Sequence, residues 1–439
     1  MLILNKRPVI TIFLVAAFLF FIGQAAVYSQ TNAPQTPPAN IDSDPLVIKI
    51  AVFGPGDDLY LWWGHIGLII ENYSTNRARF YDWGVFSFEN ENFFSNFAFG
   101  RLLYSCEVTS PQWVFDENIY ENRDISVYTL NLSPQAKEKI REYAEWTVLP
   151  ENRDYWYHHF NDNCATRVRD IIDMATDGQF KAEYQNMPGA LTLRQEVRRH
   201  TWFNPFFDWF LSFLMGQGID RPATVWEEMF LPSEVGLRVQ EFTYTDSNGA
   251  QQKLLQSAEI KNLSDGRPAV LNSPRPLWPL TLSLSCAAAL LSAILLFFKT
   301  RDNQIAGILW AAFQGLLGLF FGTAGTVLCF MSFFTNHDYT YRNINVLFAN
   351  PLLLAAVPFG ILYCIGLKNQ NHYKWEALAK TLWSCIFVLE IISVLINVIF
   401  LGQQNQADIC LVLPFTAVLS WLPQALVYVR REYLWRWLN

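Results

Sequence analysis

Apolar and polar positions change their period once along the chain. From residue 47 to 270, strand-length apolar runs and helix-spaced apolar faces alternate with polar turns, whereas from 277 onward the apolar runs are long enough to cross a bilayer. In the first stretch PLVIKIAVFG predicts a buried strand stopped by Gly54, Pro55 and Gly56. LYLWWGHIGLIIEN follows, a β-rich run interrupted by Gly64, His65 and Gly67, and after the polar turn from Tyr73 to Ala78 comes RFYDWGVFSF. The aromatic block Phe93, Phe94, Phe97 and Phe99, ended by Gly100, leads into a further strand, RLLYSCEVTS. Together these runs predict a hairpin-rich sheet. Ser133 and Pro134 open a helix as N-cap and first residue, with Ala136, Ile140, Tyr143, Ala144 and Val148 on its apolar face. A second helix begins at Cys164, after the polar loop Asn161, Asp162 and Asn163, and buries Val168, Ile171 and Ile172. The segment from Phe242 to Ile260 reads as a polar, hairpin-like tail.

The second stretch predicts five membrane spans, at about 277–298, 305–333, 345–367, 381–401 and 409–429. Lys299 and Arg301 lie between the first two, Lys368, Lys374 and Lys380 between the third and fourth, and Arg430, Arg431 and Arg436 after the fifth, while the opposite loops hold only Arg342. This bias puts the C-terminus in the cytoplasm and the polar domain outside. The N-terminus agrees independently: Lys6 and Arg7, an apolar run from Val9 to Ile22 and the small residues Ala25, Ala26 and Ser29 have the layout of a secretory signal, cleaved or kept as an anchor. The expected organisation is a signal or anchor at 1–29, a Pro- and Asn-rich linker at 30–46, a polar domain at 47–270 and a membrane domain at 271–439. Gly318 and Gly322 form a helix-packing GxxxG pair, and Glu390, an acid near mid-span, is a candidate functional group.

Composition sharpens this division. The chain is 51% hydrophobic and 16% aromatic, which exceeds an ordinary soluble domain, and its net charge of −7 with no basic cluster argues against nucleic-acid binding. Of the seven cysteines only Cys106 and Cys164 lie in the polar domain. None of the Cys and His spacings is that of a zinc site.

Chemistry concentrates at Cys164. A thiol in the first turn of a helix meets unpaired N–H groups and the positive end of the dipole, which favour the thiolate. The alternatives are a small buried residue or, in an oxidising compartment, half of a Cys106–Cys164 disulfide. A thiol nucleophile needs a base. His65, flanked by glycines on a strand, suits that role better than His158 or His159, whose direction in the loop before the helix is undefined. Asp82 on the next strand is the candidate to orient the imidazole. Asn163 beside the nucleophile, and His337, Asn343 and Asn345 in the external loop TNHDYTYRNINVLFANP, are candidate substrate contacts; a plain hydrated loop is the alternative for the last three.

HIG on a strand, followed about a hundred residues later by NC at a helix start, is similar to the permuted papain-like enzymes, the NlpC-type peptidases and the lecithin:retinol acyltransferase-like group. More closely, WWGHIGL, YDWGVFSF with NFFSNFAFGRLLY, NDNCATRVRDII, GQGIDRPATVWEEMFLP and the NHDYTYRNINVLFANP loop resemble the Lnb-type bacterial lipoprotein N-acyltransferases, over nearly the whole chain from about residue 50. The resemblance implies an α+β permuted papain-like extracytoplasmic domain followed by an all-α membrane bundle in the bacterial inner membrane. It also implies acyl transfer through a Cys164 thioester with His65 as base, from the diacylglyceryl group of a lipoprotein to the α-amine of its N-terminal cysteine. The partners would be the lipoprotein substrate and the phospholipid bilayer. A cell-wall peptidase or amidase, a phospholipid acyl hydrolase and a non-catalytic membrane-anchored binding module are the rival functions.

Overall fold

The computed structural model describes residues 44–86, 92–368, 371–399, 404–405 and 408–426, so the signal and most of the linker lie outside the described residues. The N-terminal domain is built on an antiparallel sheet of seven strands: β1 (Leu46–Phe53), β2 (His65–Asn72), β3 (Arg77–Val85), β4 (Leu103–Thr109), β5 (Ile125–Leu130), β6 (Asp154–Trp156) and β7 (Leu255–Asn262), in the order β7-β5-β1-β2-β3-β4-β6. The alternation read from the sequence decides which face each side chain takes. Ile48, Ile50, Ile66, Leu68 and Ile70 point to one face and join a core with the helices, while Phe53, Ile69, Phe80 and Val127 build a smaller core on the other. The tail expected as a hairpin is one only over Thr243–Thr245 and Gln251–Lys253; beyond it β7 pairs with β5 and closes that edge of the sheet.

The aromatic block forms α1 (Phe93–Ala98); then come α2 (Pro111–Tyr120), α3 (Pro134–Thr147) and α4 (Cys164–Ala175). Ser133 caps α3 as expected, its Oγ accepting from the Ala136 N–H at 3.2 Å. Val168, Ile171 and Ile172 of α4 are buried against β2 and β3. Two further helices, α5 (Leu193–Thr201) and α6 (Pro205–Leu214), are locked by buried ion pairs, Arg198 to Asp208 at 2.9 Å and Arg194 to Asp220 at 2.7 Å. His200 sits in the same buried layer, its Nδ1 donating to the Glu196 carbonyl, and burial pushes it down from 6.5 to about 4. A depressed histidine stabilises the fold above pH 6.5, and that contribution is lost as the pH falls through about 4. We therefore expect the melting temperature to drop over this window and His200→Gln to flatten the drop by roughly 3 kcal/mol at its acid end, read by differential scanning in detergent.

The C-terminal half is a helical bundle: α7 (Trp278–Lys299), α8 (Gln304–Phe334), α9 (Ala356–Gly366), α10 (His372–Ile399) and α11 (Ile409–Leu419). Among the described residues four segments are long and apolar enough to cross a membrane, 278–299, 304–334, 344–366 and 372–399, against the five expected. The fifth expected span is helical over the 11 residues Ile409–Leu419 around Pro414, breaks at Ser420 and is helical again over 422–426, and residues 427 onward lie outside the described residues. The third is composite, entering as short 3₁₀ turns at Ile344–Leu347 and Pro351–Ala355 before α9. The fourth begins nine residues earlier than hydropathy alone suggests, so Lys374 and Lys380 belong to the helix and not to a loop. Lys380 and Lys299 share the Glu376 carboxylate, which lets the cations sit inside the helical boundary. Gly318 and Gly322 serve packing, since a Cβ on them would lie 2.4 Å from Ala356 and 2.7 Å from the Leu354 nitrogen. Glu390 is fully buried and accepts from the Thr416 hydroxyl at 2.6 Å, tying α10 to α11.

The two halves meet at the loop after α8. Asn343 Nδ2 donates to the carbonyls of Phe213 and Leu214, the last two of α6, and its Oδ1 accepts from the Asn345 N–H and from Gln404. Asn345 adds bonds to Phe213 and Asp408. Gly216 follows α6 and donates to the Tyr339 carbonyl at 2.8 Å. Replacing Asn343 with alanine takes the side-chain donor from the Leu214 carbonyl and leaves Phe213 with Asn345 alone, a loss of about 1–3 kcal/mol. We expect faster proteolysis at the α6 end and a lower melting temperature in that variant.

Candidate active site

Local sequence dictates where Cys164 stands. Asn163 adopts an extended backbone, its Oδ1 accepts the Thr166 N–H at 2.9 Å, and Thr166 Oγ1 accepts the Asn163 N–H at 2.8 Å, a capping box that starts α4 at Cys164. The Asn163 amide is spent on the carbonyls of His159 and Phe230. Its side chain is thus a cap that fixes Cys164, and it does not reach out as the substrate contact suggested by the sequence. Cys164 occupies the first helical position, 7% exposed, and both it and Cys106 are free thiols, so the disulfide alternative is not formed. Burial pushes the Cys106 thiol up, away from the reactive range.

His65 opens β2, paired across from Phe53, whose ring stacks beside the imidazole at 6.1 Å. Its Nε2 lies 2.9 Å from Asp82 Oδ1. With Nε2 turned to Asp82, Nδ1 is the ring nitrogen left to face Cys164. Burial opposes charge on the imidazole, but the Asp82 carboxylate and the neighbouring Cys164 outweigh it and raise His65 from 6.5 to about 10. Asp82 is held below its usual range: burial works against the carboxylate, but the His65 charge and the Gly84 N–H, which donates to Oδ1 at 2.7 Å, prevail. The structure therefore brings together the three residues singled out from the sequence, Cys164, His65 and Asp82, with His65 and Asp82 paired directly. Sequence reasoning misses Gly84. A Cβ there would lie 2.5 Å from His65 Cε1, so only glycine lets the imidazole lie flat against β3. The signal for it is a glycine two residues after the acid in YDWG.

The domain model described as the Lnb N-terminal periplasmic domain matches residues 33–199. A second, described as the Lnb transmembrane domain, matches residues 275–419. This is an Lnb-type protein. Its N-terminal domain is extracytoplasmic and its apolar helices form the membrane domain. No curated protein and no solved structure matches the chain.

In this Lnb-type chain the external loop supports the site from behind. His337 is buried; its Nε2 donates to the Phe97 carbonyl at 3.0 Å while Nδ1 accepts from the Tyr339 hydroxyl at 2.9 Å, and burial keeps it below its ordinary pKa. Asp338 accepts from His158 Nε2 at 2.8 Å, and Tyr339 packs edge-on against His159. His159 is pushed down to about 3 by burial and stays neutral. His337 and Asn343 thus spend their polar atoms on α1, α6, Gln404 and their own loop, and Asn345 spends its Nδ2 on Phe213 and Asp408 while its Oδ1 is buried without a partner; together they join the halves of the protein and brace the segment that ends in Asn163. Nor does any local pattern announce that Tyr104 and Tyr157 stack at 4.1 Å next to the nucleophile, where burial first and then the Cys164 charge push both phenols up.

Proposed function

We propose that this protein is a lipoprotein N-acyltransferase that works through a Cys164 thioester. The thiolate attacks an ester carbonyl of the diacylglyceryl group; as the tetrahedral intermediate collapses, the glycerol oxygen leaves with the proton of the His65 imidazolium. The neutral α-amine of the lipoprotein's N-terminal cysteine then attacks the thioester, the amide forms, and the amine proton returns to His65 while sulfur departs as thiolate. The ion pair is regenerated with no metal or diffusible cofactor. The N–H groups of Cys164 and Ala165, the first two of α4, have no carbonyl one turn back and suit the oxyanion.

The observation that carries this reading is the Cys164, His65 and Asp82 row on a domain fastened to a membrane bundle. A sheet-borne histidine that precedes a helix-borne cysteine in sequence agrees with a permuted papain-like arrangement, and a substrate and product that never leave the bilayer account for the helices in the same chain. Mass spectrometry of lipoprotein N-termini from cells with and without the gene tests it. N-acylated, lyso-type termini that vanish with the gene support the reading, and termini unchanged by its loss refute it.

A further inference from the structure

A cavity of about 420 Å³ opens between α1 and β4, walled by Phe93, Phe97, Leu103 and Tyr104 and fringed by two arginines and the carboxylates Glu107 and Asp154. Its volume lies within the usual range for a small-molecule site, roughly 300–1,000 Å³. Two observations say what it faces. At one end an aromatic row leads inward: Phe97 stacks on Phe93 at 6.1 Å, Phe93 on Phe86 at 5.9 Å, Phe86 meets Tyr104 at 4.9 Å, and Tyr104 stacks on Tyr157 beside Cys164. Just past α1 the chain touches the membrane domain. Phe99 meets Phe330 at 5.5 Å, and Phe330 stacks on Phe334 at the outer end of α8, where Phe333 and Phe334 are 68% and 70% exposed. Large apolar side chains left exposed on a helix long enough to span a bilayer mark contact with lipid.

The junction between these parts is tight. Gly100 has φ +72°, a Cβ on it would lie 2.7 Å from the His337 nitrogen, and the Asn336 N–H donates to the Phe99 carbonyl at 2.8 Å. The turn between α1 and β4, at one end of the cavity, is therefore pinned to the loop that follows the apolar helix α8.

We propose that this cavity holds the acyl chain of the donor lipid, which enters sideways from the outer leaflet past Phe330 and Phe99 and brings its ester to Cys164. The proposal rests on the acyltransferase reading for the identity of the ester, but the cavity's occupant is tested without turnover. Full-length protein in vesicles of phosphatidylglycerol and phosphatidylethanolamine is irradiated with a diacylglyceryl lipopeptide carrying a diazirine on one acyl chain, and the labelled peptides are mapped. Label is expected on residues 93–104. Leu103→Trp and Asn96→Trp, which narrow the cavity from β4 and from α1, should each reduce it roughly tenfold, the equivalent of about two buried methylenes. Alkylation of Cys164 by iodoacetamide should stay unchanged in both, which reports an intact fold. Label confined to the membrane helices, or label on 93–104 that neither tryptophan diminishes, overturns the proposal. Retained, tryptophan-sensitive label in a protein that transfers no acyl chain supports the cavity as a lipid site and counts against the acyltransferase reading alone.

Discussion

Replacing Cys164 with serine or alanine is expected to remove lipoprotein N-acylation, with a loss of at least about 10⁴-fold, and His65→Ala to cost nearly as much, because groups that act as one unit fail together. A serine hydroxyl at the same helical position has no thiolate to offer, and the ion pair with His65 that loads the site does not form. Both cysteine variants keep the capping box, since Asn163 and Thr166 bond backbone and each other and make no use of the sulfur. Membrane insertion and the melting temperature should therefore be retained, which separates loss of chemistry from loss of fold. The mechanism makes a second demand. A diacylglyceryl peptide with a blocked α-amine can complete only the first half-reaction, so wild-type protein should accumulate an acyl group on Cys164 that neutral hydroxylamine releases. Activity retained in Cys164→Ala, or the absence of any hydroxylamine-sensitive adduct, would sink the thioester route.

The parts of this site that obey short-range rules are legible in the sequence, and those that depend on register are not. Val168, Ile171 and Ile172 announce α4 by their 3.6-residue spacing, and the polar run ending in Asn163 announces where it starts, so local pattern alone puts Cys164 at the head of a helix. His65 and Asp82 lie on runs with clear β character, but their meeting depends on how β2 and β3 pair and on the irregularity between Asp82 and Val85 where β3 meets β4. No local pattern encodes that offset. Asn163, Asn343 and Asn345 show the opposite failure. Polar residues near a reactive group or a membrane surface read as substrate contacts, yet their amides satisfy backbone groups of α6, His159 and Phe230 from distant parts of the chain. Hydropathy places the third span to within a residue but misses its 3₁₀ entry, and it starts the fourth nine residues late, for a related reason. It registers apolar content but not the 3₁₀ turns at Asn343 and Asn350, nor the Glu376 carboxylate that lets Lys380 lie within a helix.

Asp82→Asn and Gly84→Ala disturb the same imidazole by different means, and their kinetics should differ accordingly. In Asp82→Asn the shape is kept but the charge that raises His65 is gone, and a neutral amide does not hold the imidazolium with Nδ1–H toward the sulfur. The expected loss in kcat is about 10²- to 10⁴-fold. The sign of the pH effect follows from the direction of the shift. His65 lies above its ordinary value, at about 10, so its charged form and the stability that form brings are fully present below pH 6.5 and are lost as the pH rises through about 10. Without the Asp82 charge that loss comes earlier, and the alkaline limb of the activity profile should move to lower pH. Gly84→Ala leaves every charge in place and drives a methyl to 2.5 Å from His65 Cε1, so the ring must shift by the order of an ångström. A displacement of that size costs about 10²-fold in rate, with the alkaline limb where wild type has it. A Gly84→Ala enzyme with wild-type kcat would mean that the imidazole has room to move, and an unmoved profile in Asp82→Asn would take Asp82 out of the row.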